Sequence, residues 1–252
     1  MAEDRQQPHG PAPSIRLFVE APLAAGGRLD CTPAQANYLS NVMRMRAGDA
    51  LLVFNGRDGE WLARVAEARK GRCTLEAETQ ARAQTGGPDI HYLFAPLKKA
   101  RLDYMVQKAT ELGVARLQPV MTRRTVAERL NGERMRANVI EAAEQCGVLR
   151  LPELCEPEKL SAVLKDWPGS RVLVFADEAA SLASPLEALA DIAQGPAALL
   201  IGPEGGFDGA EREMLRALPF VRAISLGPRI MRADTAAVAA LALMNAVLGD
   251  WR

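Results

Sequence analysis

Short apolar segments alternate with polar ones over the first third of the chain. Residues 15–19 alternate in polarity and 50–54 form a brief apolar run, as strands do. The cluster 55–59 carries two glycines, and the apolar pattern resumes at 60–65, which predicts a hairpin. A further strand is predicted at 73–77.

One helix is predicted among these strands. Thr32 has the side chain of a helix N-cap, and Pro33 suits the first helical position. The predicted helix runs to about Arg44. The strands and the helix together favour a small β-barrel or a curled sheet.

Strands and helices alternate after a predicted linker at 83–88. Gly113 and Gly147 are expected to end two of the helices as C-caps. Repeated β-α-β units predict an α/β fold, with a mostly parallel sheet and helices on both faces. The predicted strands are 90–95, 114–120, 171–176, 197–201 and 221–226, and the predicted helices are 97–112, 133–146, 184–193 and 236–248.

Two loops that contain Gly-Pro follow the last two strands. The first Gly-Pro loop is residues 201–207, and the second is residues 226–232. Ligands of open α/β sheets bind at this carboxyl edge, where glycine lets the backbone approach closely. The first loop matches no phosphate-binding motif, Pro203 lacks an N–H, and Glu204 would repel phosphate. A positive or neutral ligand, such as a sulfonium, therefore fits better.

Charged residues around these loops are assigned either a structural or a functional role. Asp208 and Glu211 form a capping-box pattern, whereas Glu204 is either a solvated acid or a partner for a cation or ligand hydroxyl. In the second loop, Arg229 and Arg232 are either surface ion-pair residues or a clamp for an RNA phosphate or nucleobase carbonyl. Asp234 or Thr235 is predicted to cap the final helix, which is apolar enough to be buried on most sides.

Charge changes the picture in one segment. The chain as a whole has 31 basic and 31 acidic residues, but residues 98–136 hold ten basic and four acidic ones, an excess of +6. This basic segment fits either a polyanion such as RNA or a solvated helix face. The four cysteines form no Cys-x-x-Cys pair, which predicts neither a zinc site nor a disulfide framework. No signal-peptide or membrane-spanning pattern is found, so a cytoplasmic location is expected.

Several motifs together resemble one known family. The segments 201–207 and 226–235 resemble the signature of the SPOUT superfamily of knotted methyltransferases. With 37–49, 107–114 and 144–147, the chain resembles the bacterial 16S ribosomal RNA uridine-N3 methyltransferase family from about residue 15 to 250.

The resemblance implies a fold and partners that periodicity does not give. Residues 1–14 would be a disordered lead-in, 15–82 a PUA-like RNA-binding β-barrel, and 88–252 a SPOUT-type domain with a trefoil knot. The cofactor would be S-adenosylmethionine, the partner would be 16S rRNA of the small ribosomal subunit, and the protein would be a homodimer without metal or membrane attachment.

Site residues follow from the motifs and from the basic segment. Arg232, Asp234 and Glu204 are the catalytic candidates. Val148, Met231 and Asp234 stand where the family commonly has Arg, Leu and Glu. The cofactor candidates are Leu200, Ile201, Gly202, Pro203, Glu204, Gly205, Gly206, Leu226, Gly227, Ile230, Met231 and Arg232, and the RNA candidates are Arg44, Arg46, Lys98, Arg101, Lys108, Arg123, Arg124 and Arg150.

Three other functions stay open on the sequence. One is a knotted methyltransferase that acts on another rRNA nucleotide or on tRNA. Another is an RNA-binding assembly factor without catalysis, although such a binder has no need of two stiff Gly-Pro loops. The third, a nucleotide-binding α/β protein, is disfavoured by the missing phosphate-loop motif.

Overall fold

The computed structural model describes residues 15–69, 71–126, 129–180 and 184–251, and it divides at Gln84 and Thr85 into two units. The predicted lead-in, residues 1–14, lies outside the described residues, as does Glu128 of the basic segment. None of the described helices is long and apolar enough to cross a membrane.

The first unit is a five-stranded mixed sheet with one helix. The sheet order is β1-β3-β4-β5-β2, with β1 parallel to β3 and the other pairs antiparallel. Leu51, Val53, Leu75 and Leu39 of the helical segment are fully buried in its core. The elements are β1 (Arg16–Phe18), β2 (Arg28–Asp30), α1 (Pro33–Asn37), β3 (Ala50–Phe54), β4 (Glu60–Arg69) and β5 (Arg72–Arg82).

The predicted cap of the first helix is confirmed, but the helix changes its geometry sooner than expected. The Thr32 side chain accepts from the Gln35 backbone N–H in a capping box, with proline in the first turn. A π-helical segment, Tyr38–Val42, then replaces the continuous α-helix predicted to about Arg44. Arg44 itself has a φ of 56°, which no α-helix tolerates.

The second unit is a parallel sheet covered by helices. Its strand order is β12-β10-β11-β6-β7-β8, with β9 also paired to β7, and every pair is parallel. Its elements are β6 (Ile90–Phe94), α2 (Lys99–Glu111), β7 (Arg116–Met121), α3 (Gly132–Cys146), β8 (Glu153–Leu154), β9 (Glu158–Lys159), α4 (Leu160–Lys165), β10 (Val172–Ala176), α5 (Pro185–Ala190), β11 (Ala197–Ile201), α6 (Gly209–Ala217), β12 (Val221–Ile224) and α7 (Ala233–Val247).

Side chains of the central strands alternate between two cores, which confirms helices on both faces. Leu199 and Ile201 of β11 pack into a cluster with α2, α3, α5 and α7. Ala198 and Leu200 of the same strand pack on the opposite face, with α4 and α6. Strand β11 is therefore apolar on both sides, as a central parallel strand between helix layers must be. The trefoil knot stays a prediction.

Two details of the predicted elements are wrong. Helix α7 begins at Ala233 with Arg232 as its N-cap residue, so Asp234 and Thr235 lie inside the first turn and do not cap it. The short elements β8, β9 and α4 were not predicted, because strands of two residues carry no periodicity. Gly147 is confirmed as the C-cap of α3, whereas the C-cap residue of α2 is Leu112 and Gly113 follows it; both glycines have a φ of 73°.

The carboxyl ends of three strands lie side by side. Strand β10 lies between β11 and β12, with Phe175 opposite Leu200 and Ala176 opposite Ile224. The two Gly-Pro loops therefore flank the end of β10, although β11 and β12 are consecutive strands in the sequence.

Candidate functional site

A cleft of about 550 Å³ opens at this carboxyl edge, within the size range of small-molecule sites. Both Gly-Pro loops contribute to its wall, together with the end of β10 and the first turns of α7. The lining residues are Ala176, Asp177, Glu178, Ala180, Ile201, Gly202, Pro203, Glu204, Gly205, Gly206, Phe207, Leu226, Gly227, Pro228, Arg229, Ile230, Met231, Ala233 and Ala236.

The first Gly-Pro loop turns tightly onto a buried aromatic ring. A Cβ at Gly202 would lie 2.5 Å from Cε2 of Phe207, so only glycine fits there. Phe207 is 2% exposed and packs edge-on against Phe175, with ring centroids 5.0 Å apart. The Gly206 N–H donates to the Pro203 carbonyl at 2.8 Å, and Gly206 has a φ of 66°. Turn and ring together fix the backbone that faces the cleft.

The second Gly-Pro loop leaves its backbone open. Gly227 has a φ of 102°, and a Cβ built there would meet no atom within 4 Å. The Gly227 N–H donates to Ser225 Oγ at 3.3 Å, which anchors the start of the loop. Ile230 is 95% exposed at the loop tip. The loop therefore presents backbone and an uncovered apolar side chain to the cleft.

An acidic pair at the end of β10 was missed in the sequence. The Asp177 carboxylate is fully buried and binds Arg216 at 2.6 Å and Arg212 at 3.1 Å. Glu178 also pairs with Arg212, and its Oε1 would lie 2.7 Å from a Cβ at Gly206. The sequence did contain a signal for this pair. Both acids directly follow the predicted strand 171–176, just as each Gly-Pro loop directly follows a predicted strand.

Substituting Asp177 with alanine is expected to lower the free energy of unfolding by about 3 kcal/mol, because Arg212 and Arg216 lose a fully buried counterion. Denaturant unfolding of the full chain measures it. The matched variant Asp177→Asn keeps the shape and one acceptor and should lose less. Equal stability of wild type and Asp177→Ala would contradict this account of the cluster.

Three residues predicted to contact RNA bind the first Gly-Pro loop and its following helix in this structure. Arg101 Nη1 lies 2.9 Å from Glu204 Oε1, and Arg124 Nη1 donates to the Gly205 carbonyl at 2.8 Å. Arg123 pairs with Asp208 at 2.8 Å. The backbone hydrogen bond from Glu211, followed by the Arg123 guanidinium, lowers the pKa of Asp208. The predicted capping box of Asp208 and Glu211 is confirmed.

The other basic candidates are spread over both units. Lys98 is exposed at the N-cap of α2, and Lys108 binds Glu111 at 2.7 Å. Arg150 donates to the Pro88 carbonyl at 2.6 Å, and burial lowers its pKa. These contacts favour a structural role for Arg150. Arg44 and Arg46 belong to the first unit, beyond its π-helical segment.

The catalytic candidates lie at the rim of the cleft. Arg232 is exposed at the N-cap of α7, and Asp234 Oδ1 accepts from the Thr235 N–H at 3.0 Å. Neither residue belongs to the cleft wall, whereas Glu204 does. Leu200 of β11 does not line the cleft, and its side chain is fully buried in the core on the α4 and α6 face of the sheet, so only its backbone is available to a ligand. Burial, and secondly the charge of Asp234, raises the pKa of Tyr92 well above its usual value.

The chemistry of the wall suits a cationic or neutral ligand with an apolar part. Glu178 and Glu204 bring carboxylates to the wall, whereas the carboxylate of Asp177 is buried against Arg212 and Arg216. Arg229 brings the one guanidinium among the described residues of the wall. Backbone of both loops and the side chains of Ile201, Leu226 and Met231 supply the rest. No cluster of three or more metal-ligating side chains occurs within the described ranges.

Comparison with known families and proteins gives a consistent result. The RNA methyltransferase domain family matches residues 85–245, and the RNA methyltransferase PUA domain family matches residues 32–78. Ribosomal RNA small subunit methyltransferase E of Rickettsia conorii is 29% identical over 90% of this chain and 93% of its own length. The protein of the same name from Synechocystis is 30% identical over 93% of this chain and 78% of its own length.

Solved structures agree with these sequence matches. The ribosomal RNA small subunit methyltransferase E of Neisseria gonorrhoeae, bound to S-adenosylmethionine, superposes with a TM-score of 0.84 and 27% identity over 94% of this chain and 99% of that chain. A putative methyltransferase of Legionella pneumophila, also in complex with S-adenosylmethionine, gives a TM-score of 0.81 and 30% identity over 94% of this chain and 98% of that chain.

Proposed function

Because this chain belongs to the ribosomal RNA small subunit methyltransferase E family, we propose that it transfers a methyl group from S-adenosylmethionine to N3 of a uridine in 16S rRNA. The observation that carries the proposal is the cleft between the two Gly-Pro loops, in a fold shared with relatives that are crystallised with this donor. The domain bounds 15–82 and 88–252 are part of the proposal.

The residues of the cleft fit the donor. Glu178 and Glu204 line the cleft, paired with Arg212 and Arg101 respectively, and their carboxylate oxygens complement a sulfonium. The open space at Gly227 lets an adenine or a carboxylate approach the backbone of the second loop closely, as glycine loops do. The donor binders would be the cofactor candidates of the two loops, with Leu200 acting through its backbone. Arg232, which lies outside the wall of the cleft, would act on the uridine instead.

Methyl transfer breaks one bond and forms another. When bound, S-adenosylmethionine supplies an electrophilic methyl group on a sulfonium sulfur. The uridine N3 lone pair forms the new N–C bond as the C–S bond breaks, and N3 gives up its proton. The protein must therefore hold N3 in line with the methyl group. It must also accept the N3 proton or stabilise the uridine anion that forms when the proton leaves.

The chain offers separate groups for these tasks. Arg232 and backbone N–H groups of the second loop would stabilise the uridine anion. Asp234 or Glu204 would accept the proton; Asp234 is the stronger candidate, because the Glu204 carboxylate is paired with Arg101. Since N3 lies on the Watson–Crick edge, the uridine must be unpaired or flipped out of its helix.

RNA binding would use exposed cations of the basic segment and of the first unit, above all Lys98, Arg44 and Arg46. We expect Lys98→Gln to weaken RNA binding. The plot of log K against log salt should become less steep by about 0.7, the share of one single-strand phosphate contact. Binding titrations at several salt concentrations measure the slope. Lys165→Gln, on α4 outside the basic segment, is the control. An unchanged slope for Lys98→Gln would remove it from the RNA surface.

We propose a homodimer in which α7 contributes to the interface. Val238 and Ala239 of α7 are only partly buried, and Leu243 and Val247 are only partly covered by the core against which they pack. A second subunit would complete the burial of this apolar helix. With ribosomal RNA as the proposed substrate, the proposed location of the activity is the cytoplasm.

The decisive experiment is mass spectrometry of 16S rRNA from a strain that lacks the gene. Loss of one N3-methyluridine, restored by the gene, is expected. Persistence of every methyluridine in 16S rRNA, with loss of a methyl group elsewhere, would favour the knotted methyltransferase with another RNA target. Calorimetry with S-adenosylmethionine separates both from an assembly factor that has lost catalysis, which would give no binding heat.

A further inference from the structure

We propose that Arg101 and Arg124 are positioning residues that hold the first Gly-Pro loop in its donor-binding shape. They come from two different elements, the first turn of α2 and the turn after β7, and both reach the same loop. The proposal deepens the methyltransferase function and rests on it. It also differs from the expectation that these arginines serve as phosphate contacts.

Arg124 contacts the loop with both its stem and its head. Its guanidinium donates to the Gly205 carbonyl at 2.8 Å, a charge-assisted bond to the backbone. A Cβ at Gly205 would lie 3.8 Å from Arg124 Cδ and 4.0 Å from its Cβ, so the aliphatic stem covers this glycine. The side chain thus covers a loop residue that has no side chain of its own.

Arg101 holds the neighbouring residue of the loop. Its guanidinium lies 2.9 Å from the Glu204 carboxylate, and both side chains are partly exposed, at 33% and 44%. An exposed ion pair contributes little to global stability, so its value lies in fixing where Glu204 points. Glu204 lines the cleft, and its orientation therefore affects what the cleft binds.

The turn that carries Arg124 is itself fixed to the far end of the loop. The Thr122 N–H donates to Thr125 Oγ1 at 2.9 Å, which shapes the turn. The Arg123 backbone N–H donates to Glu211 at 2.8 Å, and its guanidinium binds Asp208. On the other side of the loop, Glu178 approaches Gly206 while it pairs with Arg212. The loop is therefore held from two sides by charged side chains.

Calorimetric titration with S-adenosylmethionine, without RNA, tests the proposal on the full chain. We expect Arg124→Gln and Arg101→Gln each to raise the donor Kd about fivefold or more, in the range of ordinary site-to-site coupling. Lys99→Gln is the matched control, since Lys99 lies on the same helical turn and no bond from it to the loop is found in the described part of the chain. Its donor Kd should stay within about twofold of wild type.

Two further readouts separate positioning from general support of the fold. The KM for the donor should rise while kcat at saturating donor and the thermal midpoint stay near wild type. In a double-mutant cycle, the effects of Arg101→Gln and Glu204→Gln on the donor Kd should be non-additive, because both changes break the same contact. If Arg124→Gln fails to fold, Arg124→Lys keeps the charge and most of the stem and takes its place.

An unchanged donor Kd in the arginine variants, with weakened RNA binding, would overturn the inference and return Arg101 and Arg124 to phosphate contacts. That result leaves the proposed methyltransferase intact, because the wild-type chain still binds the donor. Absence of donor binding in the wild-type chain would overturn both.

Discussion

Gly202→Ala is expected to weaken binding of S-adenosylmethionine by about 10- to 100-fold, the cost of overpacking converted to an equilibrium constant. The new methyl group would lie 2.5 Å from Phe207 Cε2 and 2.8 Å from its Cδ2. Phe207 cannot retreat, since it is buried against Phe175. The loop backbone must move instead, and a shift of this size at the donor also costs turnover.

Gly209→Ala is the matched control for this change. Gly209 lies in the first turn of α6, shortly after the same loop, and a Cβ there would meet nothing within 4 Å. Its donor affinity should equal that of wild type, and its stability should be equal or slightly higher. Isothermal titration calorimetry measures the affinity of both variants. Wild-type affinity of Gly202→Ala would show that the loop is not fixed by the Phe207 ring.

Arg232→Ala is expected to reduce kcat by about 100- to 1000-fold, as loss of an anion-stabilising donor does in other enzymes. Arg232 is exposed and lies outside the wall of the cleft, so donor affinity and the thermal midpoint should change little. Single-turnover transfer of a labelled methyl group to 16S rRNA, at saturating donor and RNA, measures the effect on the chemical step.

Arg222→Ala provides the control arginine. Arg222 is exposed on β12 and donates to the carbonyls of Pro219 and Val221, away from the Gly-Pro loops. Its turnover should match wild type. Equal turnover of Arg232→Ala and wild type would remove Arg232 from the site and leave the backbone N–H groups of the second loop as the anion stabilisers.

Local chemistry explains which elements were predictable from sequence. Thr32 with Gln35, and Asp208 with Glu211, satisfy backbone N–H groups within three residues, so their caps are readable without tertiary information. The Gly-Pro loops were predictable in the same way, because local backbone geometry requires glycine and proline at these positions. By contrast, the predicted cap of α7 failed because Asp234 and Thr235 suit either a cap or a first turn.

The amino-acid sequence by itself determined the α/β class, the two Gly-Pro loops and the kind of ligand that they suit, because these depend on short-range periodicity and residue type. Only the tertiary structure decided that β10 lies between β11 and β12, since pairing of parallel strands is set by packing between distant segments. That placement brings the buried Asp177 and its neighbour Glu178 to the cleft. The pairing of β11 with β6, and of β6 with β7, likewise brings Arg101 and Arg124 from the basic segment to the first Gly-Pro loop. Charge along a sequence does not specify which partner lies within reach.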